Sequence, residues 1–77
     1  MPKVKYDPTG EKAFVSNMIA SHGSLASIAV VGRMLGFKNY QVIYDWLNEN
    51  DISAFDIHGR KRYNTQEIAA AIWRARA

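Results

Sequence analysis

The 77-residue sequence contains no cysteine, so neither a disulfide nor a thiolate zinc site can support the fold. Its two histidines, His22 and His58, stand far apart in the chain. It has no glycine-rich phosphate loop and no convergent carboxylate pair. These absences leave little from which to assemble a catalytic centre. The expectation is a protein that is not an enzyme and needs no cofactor or metal. Long apolar runs are missing too. A bilayer span takes about 20 apolar residues, whereas the apolar stretch from Leu25 to Val31 stops at Gly32-Arg33. No apolar segment of a signal peptide follows Met1-Pro2-Lys3-Val4-Lys5. A soluble cytoplasmic protein making no membrane contact is expected. At this length one core gives only marginal stability. Packing of Phe14, Phe37, Trp46, Phe55, Trp73 and the aliphatic residues, or self-association, must supply it.

Acids are also scarce after residue 57. From His58 onward Glu67 stands alone against Arg60, Lys61, Arg62, Arg74 and Arg76, whereas residues 1–57 hold five cations against six acids. The whole formal excess of +3 therefore lies in the last part of the chain. Segregated charge implies a partner, while mixed charge implies only solubility. The stretch Asp56-Ile57-His58-Gly59-Arg60-Lys61-Arg62-Tyr63 turns from an apolar run into three consecutive cations at Gly59. A hairpin is expected there. A two-residue His58-Gly59 turn would pair Asp56 with Lys61 and place Arg60 and Arg62 on the Phe55/Ile57 face. A three-residue loop would pair Phe55 with Tyr63 and set Asp56 against Arg62. The second is preferred because it buries aromatic against aromatic.

The rest reads as helices in one domain. Residues 1–9, with both prolines and two lysines, form an expected flexible basic arm; residues 10–77 form a single domain that includes an extra N-terminal helix. Between Glu11 and Ser21, Phe14, Met18 and Ile19 share a helical face, and Gly23 suits the left-handed ending. A second helix starts at Ser24 or Ser27 as N-cap and carries Ile28, Val31, Met34 and Leu35. Gly32 inside it costs about 1 kcal/mol relative to alanine, so close approach of another helix is expected there. A third helix runs from near Asn39 to about Asn48, burying Ile43, Trp46 and Leu47 and turning Tyr40, Gln41, Tyr44, Asp45 and Asn48 outward. Asn64-Thr65-Gln66-Glu67 matches a capping box. It opens a last helix with Ile68 and Ile72 inward, Tyr63 stapled to Ile68, and Arg74 and Arg76 near its C-terminus. The expected class is mainly α with a small β-hairpin, in the order α-α-α-β-β-α.

Val31-Gly32-Arg33-Met34-Leu35-Gly36-Phe37, Val42-Ile43-Tyr44-Asp45-Trp46-Leu47, Ile52 through Tyr63, and Glu67-Ile68 together resemble the winged helix-turn-helix of phage and mobile-element excisionases. The likeness extends more distantly to the DNA-binding head of MerR-type regulators. It covers about residues 27–73. The stretch Phe37-Lys38-Asn39-Tyr40-Gln41 is one residue longer than the commonest turn in that group, and residues 1–23 have no counterpart in its minimal domain.

The resemblance implies a sequence-specific DNA-binding protein: a small regulator of transcription, or an excisionase-like architectural factor in DNA recombination. Double-stranded DNA would be its partner. The third helix would enter the major groove. Asn39 and Gln41 carry amides able to pair bidentately with adenine, and Lys38, Tyr40 and Tyr44 can reach phosphates. The wing, His58, Arg60, Lys61 and Arg62, would follow the backbone or enter the minor groove. Homo-oligomers through the N-terminal helix or on DNA, and an integrase or another phage protein, are further partners the likeness implies. Two readings compete with it: a protein-interaction module of winged-helix shape, and the DNA-binding part of a small-terminase-like packaging protein. Asp45, Glu49 and Asp51 count against DNA, because phosphates would repel them. His22, His58, Trp46, Trp73 and Tyr44 also have ordinary structural readings, as turn, core or half-exposed residues.

Overall fold

The computed structural model describes residues 8–75, with side chains from residue 10 onward. The arm expected over residues 1–9 lies outside this range except for its last two residues, and Arg76 lies outside it as well. Four helices and a small three-stranded antiparallel sheet make up the described chain. The elements are α1 (Pro8–His22), β1 (Leu25–Ala26), α2 (Ile28–Leu35), α3 (Tyr40–Glu49), β2 (Phe55–Ile57), β3 (Arg60–Asn64) and α4 (Thr65–Arg74). α1 starts three residues earlier than the apolar pattern predicts. Pro8 is its first residue, where the missing N–H is no loss because first-turn donors have no helical partner.

Sequence reading missed β1. Its two residues are too few to show alternation, and its partners are distant: Leu25 faces Asn64 and Ala26 faces Tyr63. The Thr65 N–H donates to the Ser24 carbonyl at 2.9 Å and closes the pair. β3 is thus the middle strand, with β1 on one side and β2 on the other.

The preferred hairpin register is also corrected. Phe55 faces Arg62, Asp56 faces Lys61 and Ile57 faces Arg60, so the turn is the two-residue His58-Gly59 turn. Both residues have positive φ, 54° and 82°, as the tight turn that suits strand twist requires. The Asp56 carboxylate accepts from the Gly59 N–H at 3.0 Å. Tyr63 does not face Phe55 because β1 and the core claim it: Tyr63 is buried, whereas Phe55 is exposed.

The core comprises Ala26, Val31, Ile43, Leu47, Ile52, Tyr63 and Ile68, with Trp46, Leu35 and Ile72 packed against it. Gly32 meets its expected neighbour. A Cβ there would stand 2.8 Å from Ile43 Cδ1 and 3.0 Å from the Phe37 carbonyl, so only glycine lets α2 and α3 approach this closely. Ser27 caps α2, accepting from the Val30 N–H at 3.3 Å. Gly36 ends it in the left-handed region, and Phe37 N–H donates back to the Gly32 carbonyl at 2.9 Å. That six-to-one bond satisfies a carbonyl the helix end would otherwise orphan.

α4 is capped as expected in part. Asn64 Oδ1 accepts from the Gln66 N–H at 2.9 Å, and Tyr63 and Ile68 share the core, as a staple requires. Glu67 remains exposed instead of closing the box. Among its described side chains α1 supplies none that is fully buried, and it lies along α4. Phe14 and Trp73 stack with centroids 5.5 Å apart, tilted by 38°, and Arg74 grips Glu11 with two bonds of 3.3 and 3.2 Å. The helix expected to mediate self-association thus has an intramolecular role: its Phe14 ring packs on the Trp73 ring.

Candidate nucleic-acid interface

The residues singled out in the sequence fall into two clusters joined through the core. The first is the N-terminal half of α3 with the two residues before it. Lys38, Asn39, Tyr40, Gln41 and Tyr44 are all exposed. Tyr40 and Tyr44 lie one turn apart with about half their surface open, 52% and 46%. The first turn of α3 contains no acid, so the partial positive charge of the helix start is not cancelled locally.

Asn39 proves to be the N-cap. Its Oδ1 accepts from the Gln41 N–H at 2.8 Å and the Val42 N–H at 3.4 Å. That oxygen is committed to the helix, which leaves the Asn39 amide donors to meet a ligand and removes half of a bidentate adenine contact. Gln41 keeps an outward amide, held by a 2.9 Å bond from Nε2 to Asp45 Oδ1. Val42, absent from both the buried stripe and the expected outward set, is 42% exposed. The helical wheel carried that signal, because Val42 lies about 100° from Ile43.

The second cluster is the hairpin. His58, Arg60 and Lys61 are exposed and Arg62 is half-buried. Their charges are not equally available. Lys61 Nζ lies 3.6 Å from Asp56 Oδ2, and Arg62 donates from Nη1 to the Lys61 carbonyl at 2.9 Å. Arg60 has no ion pair among the described residues. Cross-strand pairing puts Arg60 and Arg62 on one face with Ile57 and Phe55, both about half exposed. This apolar-basic face follows from the two-residue turn.

Burial, and secondarily the neighbouring Tyr44, pushes the Tyr63 phenol above its ordinary value of 10.0. A raised folded-state pKa favours the protonated phenol. Stability should therefore be unaffected below pH 10 and fall as pH rises through 10, because the unfolded chain then binds fewer protons than the native one. Tyr63→Phe should flatten this alkaline decline in denaturant titrations from pH 9 to 11; an unchanged slope would assign it to other groups.

A separate open groove of about 830 Å³ runs between α1, α4 and residues 50–52. Its rim gathers the acids Glu11, Asp51 and Glu67. No residue of the hairpin from 55 to 63 lines it. Asp51, one of the acids that counted against DNA, therefore belongs to this groove. Among the described residues no helix is long and apolar enough to cross a membrane. Comparisons with protein-family models, curated proteins and solved structures find no match.

Proposed function

We propose that this chain is a sequence-specific DNA-binding protein of winged helix-turn-helix type, with α3 as recognition helix and the β2–β3 hairpin as wing. The observation that carries the reading is the pairing of two features around one core. One is the α2–α3 unit, locked by Gly32 against Ile43 and presenting an acid-free helix start. The other is the exposed hairpin, which bears three consecutive cations. In this arrangement the first turns of α3 approach base edges in the major groove, and the hairpin cations bind phosphates or a narrow minor groove.

The exposed residues divide by task. Gln41 offers a donor and an acceptor to a base, and Val42 an apolar surface to a thymine methyl. Lys38, Tyr40, Tyr44 and the Asn39 amide donors serve phosphate or base contacts. Arg60 leads the wing because Lys61 is partly neutralised by Asp56. Contacts of this kind fix affinity through phosphates and sequence through α3. A small regulator or an excisionase-like factor in DNA recombination fits one short domain, and self-association on repeated DNA sites is compatible with it.

Amide NMR spectra recorded while a pool of short duplexes is added test the placement. Shifts should concentrate at residues 38–44 and 58–62 and spare residues 15–19 and 70–71 of the groove. Shifts confined to the groove would overturn this placement, and no shifts at low salt would favour a protein-interaction module.

A further inference from the structure

We infer that Asp45 is a positioning residue that fixes which hydrogen-bonding pattern Gln41 presents to a base, and so sets sequence preference at one base pair. The inference rests on the DNA-binding reading and deepens it. Asp45 looked like an obstacle to DNA binding, an acid in the middle of the recognition helix. Its geometry gives it a different part. Asp45 Oδ1 lies 2.9 Å from Gln41 Nε2, one turn along α3, and Asp45 has no cation partner among the described residues.

An ionised carboxylate only accepts hydrogen bonds, whereas an amide has one accepting and one donating end. The bond to Asp45 therefore holds only when the Gln41 amide turns its nitrogen toward Asp45. The flipped amide would set oxygen against oxygen. With one amide proton committed to Asp45, Oε1 and the second N–H form an edge with a fixed acceptor–donor sense. Adenine presents the complementary pair in the major groove, a donor at N6 and an acceptor at N7.

Gln41 is anchored at its other end as well. It is the second residue of α3, and its backbone N–H bonds the Asn39 cap at 2.8 Å. Backbone and amide are thus both held before any base arrives, which is the preorganisation a specific contact needs. The charge of Asp45 also disfavours a purely electrostatic contact at this point of the helix. Weak binding to arbitrary sequences is thereby limited, while the amide contact is retained.

The test is selection of bound sequences from random duplexes, using the full chain in four forms: unaltered, Gln41→Ala, Asp45→Ala and Asp45→Asn. The unaltered protein should prefer adenine at one position by about tenfold or more, the range of a good bidentate contact. Gln41→Ala should abolish that preference. Asp45→Ala should bring it to within about twofold of the Gln41→Ala level without weakening low-salt binding to arbitrary duplexes, because no phosphate contact is lost. Asp45→Asn keeps the size of the side chain, but its amide can accept from Nε2 or donate to Oε1, so it satisfies either orientation of Gln41 and should also lose most of the preference. Alanine is a better helix former than aspartate at an exposed site, so a folding defect would not imitate the loss.

Asp45→Ala with an unaltered adenine preference, alongside a Gln41→Ala that lacks it, overturns the positioning role and leaves DNA binding intact. Gln41→Ala with unaltered preference overturns the role of the amide itself. An unaltered protein that retains no duplex at low salt overturns both the inference and the reading beneath it.

Discussion

The double variant Arg60→Ala/Arg62→Ala is expected to bind a short DNA duplex on the order of 50-fold more weakly at about 0.1 M salt, and to show a salt slope shallower by about 1.8. Each cation that neutralises a phosphate releases a condensed counterion, and removing two such contacts removes two such releases. The single variants should rank by available charge. Arg60→Ala should cost the most, since Arg60 is exposed beside the turn and has no ion pair among the described residues. Lys61→Ala should cost the least, because Asp56 already stands 3.6 Å from its ammonium group. Base preference should survive all of them. Equal affinity and equal slope for the double variant and the unaltered protein would remove the wing from the mechanism.

Gly32→Ala should lower stability by up to about 2 kcal/mol: overpacking costs about 1–3 kcal/mol, and about 1 kcal/mol of helix propensity offsets it. For a domain of this size that is a fall of up to about 15 °C in Tm. The added methyl would stand 2.8 Å from Ile43 Cδ1. Ile43 is fully buried, so it has little room to move. Ile43→Val removes that Cδ1 atom and alone costs about 0.5–1.5 kcal/mol. Combined, the two changes should be less damaging than their sum, with a coupling of about 1 kcal/mol in thermal or denaturant melts. Strict additivity would show that the α2–α3 contact is not set by this pair. The Phe37 carbonyl at 3.0 Å keeps the rescue partial. Because this contact sets how α3 sits on α2, Gly32→Ala should also weaken DNA binding.

Much of the architecture was legible in the residues because its causes are local. Asn64 caps α4, Gly36 ends α2 and the Ile43–Trp46–Leu47 stripe faces the core, each fixed by neighbours within one or two turns. The failures share a non-local cause. β1 is two residues long and exists only because residues 63 and 64 come back to meet it. The hairpin register was misjudged for the same reason. Aromatic pairing of Phe55 with Tyr63 is a sound local preference, but a third strand and the core compete for Tyr63 and win.

The candidate interface was legible as a set of residues but not as a division of labour. Spacing picked out Asn39 through Tyr44 and the basic turn. It did not show that the Asn39 oxygen caps the helix, that Asp45 holds the Gln41 amide, or that Lys61 leans on Asp56. Those choices depend on rotamers and on which hydrogen bond each side chain can complete. On spacing alone, Asp45, Glu49 and Asp51 all count against DNA. In the fold Asp45 bonds Gln41 and Asp51 lines a groove away from the hairpin, while Glu49 stays exposed at the end of α3.

Equilibrium binding of a duplex across a range of salt concentrations decides whether α3 and the hairpin form one DNA-binding surface. Log affinity should fall linearly with log salt, with a slope of about −3 or steeper for three or more phosphate contacts. Failure to bind any duplex from a random pool at the lowest salt would contradict it.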